Sequence, residues 1–442
     1  MQLNKVNDSF DNLKFIFVLP AVVHQSTLLC HSLVRHTIMQ LIIFSISLVL
    51  FIFYAALIIY YAISWRSIPD YVNWQSLETT EKRTTGNGKQ ETNAFKLSII
   101  IPARNEEQNI KACLDSICKQ SYPKELYEVL VIDDYSTDTT AAIVKSYSEK
   151  NVQLISLQQT THGVTLNSYK KKAIELAIAQ STGEIIVTTD ADCIVPVNWL
   201  QTIASFYKQN DAAFIAMPVS YNCQNNFLEI FQSLDFMTLQ GITGASVYKR
   251  IHSMCNGANL AYIKKAFYAA GGFTGIDNIA SGDDMLLMHK IYQQQPAKVF
   301  FLKSKEVIVQ TQPMKTLKDF FNQRIRWASK ADKYDDKRIF GVLLLVYLLN
   351  VVLLVLPLVC LFQNIQYSMF NIQFSLFAFW GMLLLGKTII ELVFLFPVAH
   401  FFSKQNLLFY FPLAQPFHIL YTVIAGWLGK FGTYRWKGRE VK

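Results

Sequence analysis

From residue 38 to residue 64 (IMQLIIFSISLVLFIFYAALIIYYAIS) the chain carries no charged side chain. A helix needs about 20 apolar residues to cross the ~30 Å core of a bilayer, and this run is longer. Tyr60, Tyr61 and Trp65, followed by Arg66, give its end the pattern of an interfacial aromatic belt with a positive flank. A cleaved signal peptide is excluded, because the run exceeds a signal h-region and no small-residue cleavage site follows. The segment 1–37 shows no clear period and precedes Met39, so it reads as a poorly ordered tail or as sequence upstream of the true start.

Apolar runs recur toward the other end. Residues 340–362 make a second span, and residues 371–402 a third, interrupted by Lys387 and Glu391. Those two stand at i and i+4, where they neutralise one another on one helix face. Residues 407–428 are apolar but hold Pro412, Gln415, Pro416 and His418, so they read as a fourth span or as an interfacial, re-entrant segment. The basic end (Lys430, Arg435, Lys437, Arg439, Lys442) argues for a cytosolic terminus. Three C-terminal spans would put that end outside. The two readings exclude each other.

The 52% apolar content gathers in these blocks, leaving roughly 270 residues of mixed composition, ample for a buried core. A net charge of +9 without a dense Lys/Arg stripe gives no nucleic-acid surface. It suits segments facing an anionic cytoplasmic leaflet, with membrane lipids as partners. The seven cysteines form no CxxC and have no clustered histidines, so they read as reduced, mostly buried thiols.

The middle region alternates. Short β-branched runs at 96–101, 128–132, 152–157 and 184–189 are separated by helical stretches such as 106–119 and 169–180. This predicts an α/β domain with a mostly parallel sheet and helices on both faces. Ligands in such sheets sit beyond the carboxyl ends of the strands, and the polar clusters 102–107, 133–138 and 190–192 fall there. Residues 65–95, polar and containing Gly86-Asn87-Gly88, read as a linker.

Asp190-Ala191-Asp192 follows a buried strand. Side chains two apart on an extended chain point the same way, so the carboxylates converge and repel unless a cation relieves them. Mg²⁺ or Mn²⁺ arriving with a diphosphate fits; a solvated turn is the plain alternative. In Asp133-Asp134-Tyr135-Ser136-Thr137-Asp138 the plain reading is an Asx turn with Ser136 or Thr137 capping the next helix. Three carboxylates exceed what a cap needs, so one is available to a nucleobase or ribose. Asp283-Asp284 opens a helical stretch, where acidic residues complement the dipole. They also suit a general base whose pKa a neighbouring carboxylate raises. Gln323-Arg324-Ile325-Arg326-Trp327 offers Arg326 to a diphosphate and Trp327 to a sugar ring; taken alone it is a basic amphipathic segment at a membrane surface.

Taken together, the motifs IPARNEE (101–107), VIDDYSTD (131–138), TGEIIVTTDAD (182–192), GDD (282–284) and QRIRW (323–327) resemble family 2 inverting glycosyltransferases of the GT-A fold. Within that family they resemble the membrane-integrated branch of cellulose, hyaluronan and chitin synthases, ceramide glucosyltransferase and many bacterial envelope enzymes. The resemblance covers about residues 96–330 and implies a Rossmann-like GT-A domain at 96–339. A transmembrane helix at 38–64 precedes it, with a linker at 65–95. A transmembrane region at 340–428 and a basic tail at 429–442 follow.

Position by position, the resemblance assigns Ala103, Arg104, Glu106 and Asp134 to the nucleoside. Asp190 faces the ribose or diphosphate, Asp192 the metal. Asp284 is the base beside Asp283. Gln323, Arg326 and Trp327 match QxxRW, which binds the leaving diphosphate and the acceptor sugar. Asn256-Gly257-Ala258-Asn259 falls where the family lines its acceptor channel. The usual Gly-Lys is replaced by Tyr169-Lys170-Lys171-Lys172, with Lys171 taken as the nucleotide lysine. The implied partners are a nucleotide-sugar, UDP-linked by preference, and an acceptor hydroxyl on a lipid carrier or growing polysaccharide. The implied place is the plasma or inner membrane, multi-pass, with a cytosolic catalytic domain. A catalytically inactive membrane scaffold is disfavoured by the retained acids. A nucleotidyltransferase is disfavoured by the GDD–QRIRW pairing and the spans.

Overall fold

The computed structural model describes residues 8–72, 95–161, 168–223, 226–279, 282–330, 336–366, 372–432, 434–436 and 439–441. Two compact units divide the chain, residues 1–54 and 55–442. Helix α1 (Asp8–Ser67) takes in the expected tail from Asp8 onward and the first apolar run; residues 1–7 lie outside the described ones.

The sheet consists of β1 (Leu97–Ala103), β2 (Tyr127–Asp133), β3 (Val152–Ser156), β4 (Ile185–Thr188), β5 (Phe214–Ala216), β7 (Leu260–Ile263) and β8 (Val299–Phe301), while β6 (Val219–Tyr221) pairs with β9 (Val309–Thr311) beside it. Its order is β3-β2-β1-β4-β7-β5-β8. β1 runs parallel to β2, from Leu97 opposite Tyr127 to Ala103 opposite Asp133, and parallel to β4, from Leu97 opposite Ile185 to Ile100 opposite Thr188. β7 runs antiparallel to both β4 and β5, so the sheet is mostly parallel, as expected. β1, β2 and β4 are mostly apolar and buried along almost their whole length, Ser98 and Glu128 bonding to one another at 2.6 Å, as strands covered on both faces require. Pro102, expected to end the first strand, lies within it. Pairing with β4 stops at Ile100, leaving an unpaired edge where a residue without an N–H is tolerated.

The chain leaves β1 toward β2 and β3, then returns to β4 on the other side of β1. That reversal opens a crevice beyond the carboxyl ends of β1 and β4. Around the sheet pack α2 (Ile110–Ile117), α3 (Thr140–Lys145), α4 (Tyr169–Gln180), α5 (Trp199–Asn210), α6 (Phe227–Lys249), α7 (Asp283–Gln294) and α8 (Leu317–Ala328). α9 (Lys337–Gln366), α10 (Ile372–Phe401) and α11 (Phe411–Phe431) follow, and a hairpin, β10 (Tyr434–Trp436) with β11 (Arg439–Val441), ends the described chain. Among the described residues, four helical stretches are long and apolar enough to cross a membrane: Ile38–Ser67, Lys337–Leu361, Leu376–Phe401 and Gln405–Phe431.

Two expectations change here. Trp65 is buried, not at a lipid interface: its ring meets Phe301 and Phe401 at centroid distances of 6.0 and 5.5 Å, with the Lys303 ammonium 4.9 Å away. Gly244 makes the space, since a Cβ there would come within 2.6 Å of the indole. Residues 65–72 are therefore packed against the domain rather than being linker, helped by Tyr71 N donating to Lys303 O at 2.8 Å. The remaining linker residues 73–94 lie outside the described ones. Lys387 and Glu391 do pair, at 2.7 Å, and Gln415 of α11 bonds to both, at 2.8 and 2.6 Å. Spacing along one helix could show the pair but not its third member. Six cysteines (113, 118, 193, 223, 255 and 360) are free thiols.

Candidate active site

Three loops meet at the crevice. After β1, Asp134 N donates to Ala103 O at 2.8 Å, and Arg104 Nη1 donates to the Asp134 and Tyr135 carbonyls at 2.7 and 3.2 Å. Asn105 and Tyr135, at φ 51° and 55°, turn both loops through the left-handed region. Ser136 does not cap α3, because its Oγ accepts from Asn105 N at 3.0 Å. Asp138, one residue before the N-cap Thr139, takes the first N–H instead, its Oδ1 accepting from Thr140 N at 3.0 Å and its Oδ2 from Glu107 N at 3.1 Å. Asp133 accepts from Ser136 N at 3.2 Å. Of the three carboxylates, Asp134 lines the cleft, with Ala103, Arg104 and Glu106.

After β4 the chain turns at once, with Cys193 N donating to Asp190 O at 3.1 Å, so Asp190 and Asp192 are not two positions of an extended strand. Both still line the cleft. Asp190 Oδ1 accepts from Lys170 Nζ at 2.9 Å, whereas Asp192 Oδ2 accepts from Thr311 Oγ1 at 3.1 Å. The expected repulsion at Asp190 is thus relieved by a lysine. Lys170 also stands 3.4 Å from Asp283 Oδ2. Burial alone would lower the Lys170 pKa; Asp190 and Asp283 overcome that and raise it.

The nucleotide lysine assignment is corrected in geometry. Lys171 points away from the cleft, its Nζ donating to the Ile276 and Ile279 carbonyls at 2.7 and 2.6 Å. Burial brings its pKa down to about 8. Lys170, not Lys171, lines the cleft. Adjacent residues on a helix point about 100° apart, and only the docking of α4 on the sheet selects between them. Asn259 is likewise structural. Fully buried, it accepts from Trp199 Nε1 at 2.9 Å and donates to the Pro218 and Val307 carbonyls at 2.8 and 2.7 Å. Its neighbours Asn256, Gly257 and Ala258 reach the cleft and Asn259 does not.

Asp283 and Asp284 open α7 after Gly282, whose φ of 80° suits only glycine well. Asp284 Oδ2 accepts from Gly257 N at 3.0 Å and Oδ1 from Met285 N at 2.8 Å. Burial pushes the Asp283 carboxyl up, but Lys170, Lys330 and Lys171 outweigh it and hold it below the usual carboxylate range. Asp283 is thus countered by cations rather than acting as a bare charge upon Asp284. On α8, Gln323, Arg326 and Trp327 line the cleft. Arg324, to which sequence reasoning gave no role, is buried with Asp235 at 2.7 Å and lies over Trp327 at 4.3 Å. One face of that indole is therefore occupied. Lys330, just beyond α8, also lines the cleft; burial lowers its pKa against the pull of Asp284. Nothing in the local pattern marked it, because it lies outside the QRIRW run.

Among the described residues no group of three or more His, Cys, Asp or Glu side chains gathers closely enough to hold a cation alone. The donors present still fit one, since Mg²⁺-type ions are commonly held by one or two carboxylates and completed by substrate phosphates and water. Asp192 would supply the hard oxygen ligand, since Lys170 occupies the neighbouring Asp190.

The model for glycosyl transferase family 2 matches residues 98–270, and that for glycosyl transferase family group 2 matches residues 185–394. Residues 98–394 thus carry the sequence pattern of the family 2 glycosyl transferases. Probable glycosyltransferase YdaM of Bacillus subtilis (strain 168) is 27% identical over 243 residues, 53% of this chain and 54% of that protein. Glycosyltransferase AglE of Haloferax volcanii is 38% identical over 106 residues, 24% of this chain and 33% of AglE. The poly(ribitol-phosphate) beta-glucosyltransferase of Bacillus spizizenii is 33% identical over 118 residues, 27% of this chain and 18% of that one. The chain thus spans only a fifth to about half of these relatives. Its fold is shared with the mannosyltransferase PcManGT from Pyrobaculum calidifontis, solved with GDP-Man and Mn²⁺, at a TM-score of 0.53 and 19% identity over 86% of this chain and 99% of that one.

Proposed function

We propose that this membrane-bound glycosyltransferase moves a sugar with inversion from a nucleotide-sugar, UDP-linked by preference, to a hydroxyl on a lipid carrier or growing polysaccharide. The observation carrying the reading is the cleft at the β1–β4 reversal, which Asp134, Asp192, Asp284 and Arg326 all line. In this reading Asp134 and the Arg104–Glu106 loop hold the nucleoside, and Asp284 takes the acceptor proton as its oxygen attacks the anomeric carbon. The bond from that carbon to the diphosphate breaks on the opposite face. Arg326 and Lys330 offset the charge developing on the leaving group. A divalent cation held at Asp192 would supply further charge stabilisation at the diphosphate. PcManGT carries GDP-Man and Mn²⁺, which supports both the donor class and the ion.

Release of UDP or GDP by purified protein, measured over a panel of nucleotide-sugars, tests the activity; no release from any donor with acceptor lipids present sinks it. Mass spectrometry of lipid and polymer products then separates the acceptors. Asp192→Asn removes most turnover and leaves the fold intact, since the carboxylate holds a cation and does not pack. Undiminished wild-type turnover in EDTA would refute the metal. Trp327→Ala raises the acceptor KM more than it slows donor hydrolysis, because the ring lines the cleft where a sugar would lie; a loss confined to the donor side contradicts that role.

A further inference from the structure

We propose that α11 is a membrane-surface helix and not a fourth crossing, its outer face seated in the phospholipid headgroup layer. The conflict between three C-terminal spans and a basic cytosolic end then disappears.

The first observation is the angle at which α11 meets its neighbours. Trp380 Nε1 of α10 donates to Leu353 O of α9 at 2.9 Å, which fixes one common level of that helix pair. Tyr347 lies six residues from Leu353 and Lys387 seven from Trp380, rises of ~9 and ~10 Å toward the catalytic domain. α11 touches both at that level: Gln415 bonds to Lys387 at 2.8 Å, and a Cβ on Gly426 would stand 2.8 Å from the Tyr347 ring. Those two α11 residues are ~16 Å apart along their own helix. α11 therefore crosses the pair at nearly constant height, whereas a spanning helix would run along it.

The second observation is what lies on its inner side. α11 runs beside α8, the helix bearing Gln323, Arg326 and Trp327. Tyr421 meets Phe320 at a ring distance of 5.3 Å, Ala425 packs on Ile325, and a Cβ on Gly429 would lie 2.6 Å from Ala328 Cβ. Tyr421 OH also donates to Asp235, the partner of Arg324. Strand β10 packs against α8 as well, so residues 434–436 lie with the catalytic domain.

The third is the outer face. Leu413, Phe417, Leu420, Trp427 and Phe431 recur every three to seven residues and are exposed, Leu413 and Phe431 by 63% and 66%. An apolar stripe with aromatic residues, next to basic Lys430, Arg435, Lys437 and Arg439, matches a helix lying in an anionic surface. That surface is continuous with the bilayer that α9 and α10 are long enough to cross.

The test places nitroxides at Phe409→Cys, Leu420→Cys and Phe431→Cys, one at a time, in the full chain with Cys30, Cys118 and Cys223 changed to serine. The proteoliposomes are of phosphatidylglycerol and phosphatidylethanolamine. Oxygen and nickel-chelate accessibility should give three similar shallow depths, and a reporter fused after Lys442 should lie on the same side as one inserted at Lys208. A crossing helix would put residue 420 roughly 15 Å deeper than the other two and the reporters on opposite sides, overturning the proposal. So would labels that meet only water, or that broaden one another through contact with a second copy.

Discussion

Asp284→Asn is expected to lower kcat by about 10²–10⁴-fold, the range for loss of a general base. The amide keeps the shape and can still accept from Gly257 N, which meets Asp284 Oδ2 at 3.0 Å, giving up only the bond that Oδ1 accepts from the adjacent Met285 N. It cannot take up the acceptor proton. Donor binding should survive, since Asp134 and Arg326 are untouched, and a nucleotide Kd measured by calorimetry would show this. Asp283→Asn is the control. Its carboxylate pairs with Lys170 at 3.4 Å, and Lys170 keeps Asp190 at 2.9 Å when that partner is removed. The loss there should be far smaller. If Asp283→Asn is inactive and Asp284→Asn turns over normally, the base is the neighbouring residue. If both remain active, the pair only begins a helix.

Arg324→Ala is expected to cost about 3–5 kcal/mol of stability, as leaving one member of a buried pair uncompensated does. Arg324 and Asp235 are both nearly sealed from solvent and 2.7 Å apart. Removing the guanidinium also strips the cation lying over Trp327 and over Phe320, at 4.3 and 4.7 Å, and loosens α6, α8 and α11 together. Thermal unfolding of detergent-solubilised protein should show a large drop in midpoint. The double variant Arg324→Met with Asp235→Leu should recover part of it, because neither charge is then stranded. A single variant as stable as the wild type would mean that the node does not hold α8, and that Arg326 and Trp327 are positioned by other contacts.

The sequence alone determined the alternation of β-branched runs and helices, and with it the mostly parallel sheet and the polar clusters at the carboxyl ends of its strands. These are local properties: burial on both faces demands apolar runs, and strand ends demand turns. The motifs that resemble family 2 placed Asp134, Asp190, Asp192, Asp284, Arg326 and Trp327 among the residues that line one cleft. Tertiary structure decided the rest. Which of Lys170 and Lys171 enters the cleft depends on how α4 docks, since adjacent helical residues diverge by about 100°. Asn259 sits one residue past the cleft-lining 256–258 and is captured instead by Trp199 and two carbonyls. Trp65 reads as a membrane-belt residue until Gly244 provides a slot for it. The direction of 411–431 was undecidable from hydropathy, because a helix with one face on protein and the other in lipid is as apolar as one that crosses. Only its contacts with Tyr347, Lys387 and α8 give it an angle, and those partners are brought together by the fold.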